Sequence, residues 1–233
     1  MKKELLSLND YTNRLIERGR CLPDISLWHG KMGIAIYMLH LSRIVQNQMY
    51  EKVAFELIDA IYENIPFEQP VDFGYGLTGI GCGIQYVISN GFVDADSDEI
   101  LSDMDSLVKN IIDTRFMSIL SLESGVCGIG YYIYYRIKDR HDNDDNIVVL
   151  KFKEYLIYLI DWMEDLILNT EDVKAFDDAY FILCRLHELD VFNHKVDQLM
   201  SFCLRKLIDY NCSISDNYEL LGIDSLKVLK PWM

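Results

Sequence analysis

The sequence predicts an all-helical fold made of repeated helical hairpins, and three observations support it. A nine-residue template occurs three times, as SLWHGKMGI, DFGYGLTGI and SLESGVCGI (residues 26–34, 72–80 and 121–129). Its first glycines, Gly30, Gly76 and Gly125, are 46 and 49 residues apart, an interval typical of helical repeat arrays. Only 4 prolines occur in 233 residues, so the segments between the templates can form long, uninterrupted helices.

Two kinds of helix follow from the hydrophobic patterns. The runs directly after the first and third templates, residues 34–41 and 129–135, are apolar on every side and predict buried helices. Three segments between or after the templates place apolar residues on one side only: Ala54, Leu57, Ile58, Ile61 and Ile65; Ile100, Met104, Leu107, Val108 and Ile111; Val196, Leu199, Met200, Cys203 and Leu207. One buried and one half-exposed helix per repeat predict two concentric layers. Residues 131–135 also fit a strand by composition, but the alternation with long helical segments favours a helix.

The period continues beyond the third template in weaker form. Residues 176–180 open an apolar run without glycine, which indicates a degenerate fourth copy, and residues 215–223 keep the leading serine and the final Gly-Ile of a fifth. Half of the residues are hydrophobic, enough for one large core. We therefore expect a single domain over residues 1–233 with about five helical-hairpin repeats.

Composition and charge limit the possible functions. There is neither a signal peptide nor an 18-residue apolar stretch free of charge, which predicts a cytoplasmic protein without membrane insertion. The 37 acidic and 22 basic residues give a net charge of −15, which opposes nucleic-acid binding and favours a basic partner. The acidic runs at residues 94–99 and 141–145 are expected to be solvated loops. The six cysteines lack metal-site spacing and predict reduced thiols.

The template, with Gly-Leu-Thr-Gly-Ile-Gly in its second copy, resembles the lanthionine synthetase C-like, or lantibiotic cyclase, family. The resemblance implies an α/α toroid, in which inner and outer rings of helices surround a central pocket with the Gly-x-x-Gly turns at one end. It places the binding surface of this chain at the template turns, formed by Trp28, Gly30, Gly33, Tyr75, Gly76, Gly79, Glu123, Gly125 and Gly128.

The resemblance also raises the question of a zinc ion, which in the family is bound by two cysteines and a histidine and activates a peptide thiol. The family's ligands stand in Cys-x-Gly and Cys-His-Gly sequences before late Gly-x-x-Gly turns, and this sequence has neither. It also has five repeats where the family usually has seven. We therefore expect no cofactor. A weaker alternative is a metal site formed by Cys82, Cys127 and His29, which lie on or near three template turns.

Two residues are candidates for catalysis. Asp72 stands where the cyclases have an aspartate important for activity, and His29 precedes Gly30 as a histidine precedes a glycine in another repeat of the family. The alternative for Asp72 is a turn acid that accepts hydrogen bonds from free backbone amides, because Ser26 and Ser121 hold the same template position. The glycines would permit positive φ or close backbone approach, or expose amides to an anionic group.

Three functions are compatible with these features. The first is a cyclase-like protein without zinc-dependent activity that binds or presents a peptide, such as a basic precursor, in a lantibiotic-like pathway. The second is an enzyme with an altered site, which forms peptide thioethers or acts on a sugar or isoprenoid through paired acids. The third is an oligomeric interaction scaffold, since an incomplete ring exposes apolar helix surface that a second copy could cover.

Overall fold

The computed structural model describes residues 2–65, 70–210 and 223–229. The helices of this part are α1 (Lys2–Cys21), α2 (Lys31–Val45), α3 (Gln48–Glu63), α4 (Leu77–Ser89), α5 (Ser97–Ile100), α6 (Ser102–Thr114), α7 (Val126–Ile137), α8 (Ile147–Leu168), α9 (Val173–His187), α10 (Asn193–Asp209) and α11 (Asp224–Leu229). No strand occurs among the described residues, so the all-helical class is confirmed. Its helical hairpins are the units from which an α/α toroid is built. The strand alternative for residues 131–135 is wrong, because they lie in α7.

The chain divides into two compact units, one with α1, α2, α3 and α11 and the other with α4 to α10. In the first unit α2 is buried along most of its length and contacts α1, α3 and α11. The Thr12 hydroxyl of α1 lies 2.9 Å from the Tyr37 hydroxyl of α2 and donates to the Leu8 carbonyl. The expectation of one domain stays a prediction.

The second unit has two layers of helices. In the inner layer α4 contacts α7 and α7 contacts α9, while in the outer layer α6 contacts α8 and α8 contacts α10. α8 also contacts α7 and α9. Because α7 lies between two inner neighbours and an outer helix, nearly all of its residues are buried, as the unbroken apolar run predicts.

The one-sided helices are correct for two of the three predicted segments. Ala54, Leu57 and Ile61 are buried in α3, and α10 buries Val196, Leu199, Cys203 and Leu207. The third segment is not one helix from residue 100 onward. Helix α5 ends at Ile100, which is 46% exposed, while α6 begins at Ser102 and buries Val108 and Ile111 of the predicted side.

The degenerate fourth copy, residues 176–180, lies inside α9. Asp172 precedes this helix and its carboxylate accepts a hydrogen bond from the Lys174 amide at 3.0 Å. A side chain therefore caps α9 where glycine precedes the other inner helices of this unit. Of the fifth copy, residues 215–222 lie outside the described residues and Ile223 is buried.

A buried guanidinium organises the end of α7 opposite its glycine turn. The Arg136 side chain is fully buried and donates to both Asp105 oxygens at 2.9 and 2.7 Å, to Asp98 at 2.8 Å and to Gln85 at 2.6 Å. The Tyr132 hydroxyl donates to the same Asp105 at 2.5 Å. These bonds join α4, α5, α6 and α7, and they satisfy a charge that would be very costly to bury alone.

This cluster corrects the prediction for the first acidic run. Asp98 does not lie in a solvated loop but forms ion pairs with Arg136 and Arg140. Hydrogen bonds from Arg140 and then Arg136 lower the pKa of Asp98 to about 2, against the opposing effect of burial. Because the folded-state pKa is lowered, the ion pairs stabilise the fold above the usual carboxyl pKa, and this contribution is lost as the pH falls toward 2. The second run matches its prediction, since Asp142 is 94% exposed.

No helix among the described residues combines the length and the apolar character that crossing a membrane requires.

We predict that Arg136→Met destabilises the second unit by about 3–5 kcal/mol, because it leaves Asp98, Asp105 and Gln85 without their shared donor. The matched control is Arg115→Met, which removes an exposed ion pair with Asp165 and costs about 1 kcal/mol or less. Urea unfolding followed by circular dichroism measures both. Equal losses for the two variants would contradict the structural role assigned to Arg136.

Candidate functional site

The fifth residue of each template is a glycine that directly precedes a buried helix. Gly30, Gly76 and Gly125 are the N-cap residues of α2, α4 and α7. Their φ angles are −94°, −116° and −135°, so the backbone is extended and the expectation of positive φ is wrong. No side chain caps these three helices.

Close backbone approach is the reason for glycine. A Cβ on Gly33 would lie 2.3 Å from the Leu27 carbonyl oxygen, and one on Gly128 would lie 2.6 Å from the Leu122 carbonyl oxygen. Leu27 and Leu122 hold the same template position, six residues before the second glycine. In both copies the turn thus folds its own carbonyl against the first turn of the helix, where any side chain would collide with it.

The first glycine of the template is equally confined. A Cβ on Gly30 would lie 2.3 Å from the Ser26 nitrogen, and one on Gly125 would lie 2.3 Å from the Ile119 carbonyl oxygen. The structural explanation of these glycines is therefore sufficient for the turns.

We predict that Gly33→Ala destabilises the first unit by about 1–3 kcal/mol, because the new methyl group collides with a backbone oxygen that cannot move independently. Gly19→Ala is the control in the same unit. Its Cβ would meet only side-chain methyl groups, those of Leu57 at 3.3 Å and of Ile34 at 3.4 Å, and alanine favours the α1 helix. Thermal unfolding of both variants checks the difference, and a Gly33→Ala protein as stable as the control would refute it.

The position four residues before the first glycine closes the turn in two copies. The Asp72 carboxylate accepts a hydrogen bond from the Tyr75 amide at 2.9 Å, and the Ser121 hydroxyl accepts one from the Ser124 amide at 3.0 Å. The hydrogen bond of Asp72 is thus the one that its alternative role, as a turn acid, predicts. Ser26 differs, because its buried hydroxyl has no hydrogen-bond partner among the described residues. In that turn the Asp24 carboxylate accepts from the Ser26 amide at 2.8 Å instead.

Backbone hydrogen bonds join the second turn to the third. The amides of Phe73 and Gly74 both donate to the Glu123 carbonyl, at 3.0 and 2.8 Å. The third turn is in turn bound to α9, because the Leu122 amide donates to the buried Asp178 carboxylate at 2.8 Å. Residues from two turns and one inner helix therefore form one connected surface.

Asp72, Tyr75 and Glu123 form what we call the turn surface. Tyr75 is 44% exposed and the Glu123 side chain is 34% exposed. Burial raises the pKa of Asp72, the charge of Glu123 raises it further, and hydrogen bonds from the amides of Tyr75 and Gly76 oppose the increase. Lys174 lies 4.0 Å from the Glu123 carboxylate at the edge of this surface. The turn surface thus combines two interacting carboxylates with an accessible aromatic ring.

An aromatic cluster lies directly behind the second turn. The Tyr131 ring packs edge-on against the rings of Phe73 at 5.2 Å, Tyr135 at 5.1 Å and Phe181 at 5.7 Å. Burial raises the pKa of Tyr131 to about 12, so this phenol stays protonated at neutral pH. Tyr134 stacks on Tyr131 at 6.1 Å. Tyr134, Tyr135 and Phe181 are partly exposed, so the aromatic surface is accessible on one side.

The first turn belongs to the other unit and carries Trp28 and His29. Trp28 is partly exposed and His29 is exposed. The His29 carbonyl accepts a hydrogen bond from Arg18 of α1 at 3.1 Å, which holds the turn against that helix. The catalytic roles of His29 and Asp72 stay predictions.

The thiols of the alternative metal site lie in apolar surroundings. Cys82 and Cys127 lie within α4 and α7 and are fully buried, and burial raises the pKa of both well above the ordinary thiol value. Without a metal ion both thiols therefore stay protonated at neutral pH. Among the described residues, no three or more histidine, cysteine or acidic side chains are grouped so that they could hold a metal ion.

Sequence reasoning missed two buried charged residues of the second unit: Asp178, which binds the third turn, and Arg136, at the opposite end of α7. Arg136 and Asp178 are both buried, at 1% exposure each. The signal was present, because each is a charged residue within a run whose neighbours on the same helix side are apolar, as Ile133, Ile137, Ala175 and Ile182 are. A charge in such a position requires a partner, although the sequence does not say which.

Residues 23–182, more than half of the chain, match the family of lanthionine synthetase C-like proteins. The chain belongs to this family. The match includes all three template turns and extends into α9, so it covers the turn surface and most of the aromatic cluster. A comparison with curated proteins gave no match.

Proposed function

We propose that this lanthionine synthetase C-like protein binds a peptide without zinc-dependent cyclisation, and that a basic segment of the peptide contacts the turn surface. The observation that carries the proposal is the pair of carboxylates, Asp72 and Glu123, on two turns that backbone hydrogen bonds hold together. Membership of the family supports a peptide as the ligand.

The electrostatics of the turn surface favour a cation. Burial and the negative charge of Glu123 raise the pKa of Asp72, and a positive group beside this carboxylate would stabilise its ionised form. A lysine or arginine side chain of a peptide relieves this repulsion and can lie against the exposed Tyr75 ring. The net charge of −15 adds a long-range attraction for a basic peptide.

The aromatic cluster offers a second contact for the same ligand. Tyr131 joins it to the turn surface, because this ring packs against Phe73 of the second turn and against Phe181 of α9. Apolar side chains next to the basic segment would bury surface on the accessible edges of Tyr134 and Phe181. A peptide with basic and apolar residues in close succession therefore fits this region better than a small anionic substrate.

The proposal of a non-catalytic role is supported by the metal ligands and by Asp72. In the family a zinc ion activates the peptide thiol, and among the described residues no histidine, cysteine or acidic side chains are grouped to hold such an ion. The Asp72 carboxylate already accepts hydrogen bonds from the amides that close its turn. By extension we place the protein in the cytoplasmic biosynthesis of a modified peptide, where it holds or presents the precursor.

We predict that replacing both carboxylates, as Asp72→Asn with Glu123→Gln, weakens binding of a basic peptide about tenfold. The probe is a fluorescein-labelled peptide with alternating lysine and leucine, measured by fluorescence anisotropy with the full chain. Asp142→Asn is the control, since Asp142 is 94% exposed and lies on the α7–α8 connection.

The pH dependence of the affinity for the basic peptide provides a second test of the turn surface. Because the pKa of Asp72 is raised, affinity should begin to fall at a higher pH than for an ordinary aspartate as the solution is acidified. In Asp72→Asn this early loss disappears. A double variant that binds as well as the control protein would refute the assignment of the turn surface.

We predict that the purified protein binds less than one zinc ion per ten chains, and that Cys82→Ala and Cys127→Ala leave this content unchanged. Elemental analysis after dialysis against a trace of zinc measures it. Cys21→Ala provides the control for loss of an exposed thiol. Near-stoichiometric zinc that disappears in the Cys82 or Cys127 variant would instead support the enzyme with an altered site.

A further inference from the structure

The outer helix α8 carries an exposed apolar strip on the side opposite its buried residues. Its members are more than two-fifths exposed and are Ile147, Leu150, Ile157, Tyr158 and Leu168, at 64%, 44%, 41%, 47% and 56%. α8 has 22 residues and is therefore about 33 Å long. On a helix with 3.6 residues per turn these five positions fall within about a third of the circumference, so they share one face of the helix.

This concentration of apolar residues distinguishes α8 from the other outer helices. Among the described residues, α10 exposes one large apolar side chain, Ile208, and α3 exposes two, Met49 and Tyr62. Single exposed apolar residues are normal on protein surfaces, whereas five on one face of a helix indicate an interaction site.

Acidic residues share the same face. Glu154, Asp161 and Asp165 lie at seven-, fourteen- and eighteen-residue offsets from Ile147, between the apolar members of the strip. Asp165 is 67% exposed and is ion-paired with Arg115 at 3.0 Å. Even with Lys151 at its edge, the face is acidic. We call these three acids and the five apolar residues the α8 face.

The loop before α7 adds to this surface. Arg115 joins the end of α6 to α8 through its ion pair with Asp165 and a hydrogen bond to the Tyr158 carbonyl at 3.4 Å. The next residue, Phe116, is 66% exposed. An exposed aromatic side chain thus lies next to Arg115, the residue that binds this loop to the α8 face.

The charges decide between possible occupants. A second copy of the chain would bring another net charge of −15 and another three acids to the contact, which disfavours pairing of two α8 faces. An anionic lipid surface is repelled for the same reason. A helix with one apolar side and flanking lysines or arginines complements both the strip and its acids.

We infer that the α8 face docks an amphipathic, basic helix of a partner protein or peptide. This interface is separate from the turn surface, because α8 lies in the outer layer while Asp72, Tyr75 and Glu123 lie on turns that precede inner helices. The partner helix would lie along α8, with its apolar side on Leu150, Ile157 and Leu168 and its cations beside Glu154 and Asp161.

The test uses the full chain and a fluorescein-labelled 18-residue peptide of leucine and lysine arranged as an amphipathic helix. Two further peptides have the same composition in scrambled order, or glutamate in place of lysine. Ile157→Ser with Leu168→Ser should weaken binding of the amphipathic basic peptide about fivefold or more, as should Glu154→Lys. The matched control, Ile208→Ser with Met49→Ser, removes exposed apolar side chains from α10 and α3 and should change affinity less than about twofold.

The outcomes separate this inference from the proposed function. Binding that prefers the amphipathic basic peptide, falls in the α8 variants and persists in Asp72→Asn with Glu123→Gln supports the α8 face. Equal binding of the scrambled peptide, or loss only in the turn-surface variant, overturns it. Sedimentation that shows a dimer abolished by the α8 variants, without peptide binding, also overturns it and assigns the face to self-association. Unchanged circular dichroism shows that the variants fold.

Discussion

The close contact between a turn carbonyl and the first turn of a buried helix is the constraint on which the site depends. In the first and third templates the oxygen of Leu27 or Leu122 occupies the space that a side chain at Gly33 or Gly128 would need. The turn can therefore fold back against the helix only where the helix residue is glycine. This contact also fixes the path of the residues between the leucine carbonyl and the second glycine of the template. Glu123 and, in the other unit, Trp28 lie on this backbone path with partly exposed side chains.

α7 is held differently at its two ends. At its N-terminus the constraint is steric, since Gly125 and Gly128 admit backbone atoms at distances that exclude a Cβ. Toward its C-terminus the constraint is electrostatic, since the guanidinium of Arg136 binds carboxylates from α5 and α6 and an amide oxygen from α4. Between them the helix is almost entirely apolar and buried. The polar contacts thus lie at the ends, where they specify the neighbours of the helix without interrupting its core.

Much of the fold could be predicted because buried helix positions are occupied by apolar residues at regular spacing in the sequence. The unbroken apolar runs identify α2 and α7, and the one-sided pattern at Ala54, Leu57 and Ile61 identifies the buried side of α3. Periodicity does not reveal which distant polar groups meet. The partners of Arg136 are 31 to 51 residues away, so the role of Asp98 was hidden in a run that resembles solvated sequence. The boundary between α5 and α6 was missed because the apolar periodicity from Ile100 to Ile111 continues across it.

The turn surface was predictable in its members but not in its connections. The template identified Asp72, Tyr75 and Glu123 by position, whereas the hydrogen bonds from Phe73 and Gly74 to the Glu123 carbonyl join segments fifty residues apart that no local rule relates. The family match spans all three turns, and the structure shows which atoms join the second turn to the third.

The buried carboxylate of Asp178 gives α9 an influence on a surface to which it contributes no glycine turn. It accepts a hydrogen bond from the Leu122 amide, and the adjacent Glu123 carbonyl accepts hydrogen bonds from two amides of the second turn. Hydrogen bonds therefore connect α9 to the third turn and the third turn to the second. A displacement of α9 along its axis would act through these hydrogen bonds on both turns and change the distance between the Asp72 and Glu123 carboxylates. The least template-like copy in the chain is thus mechanically linked to the most template-like ones.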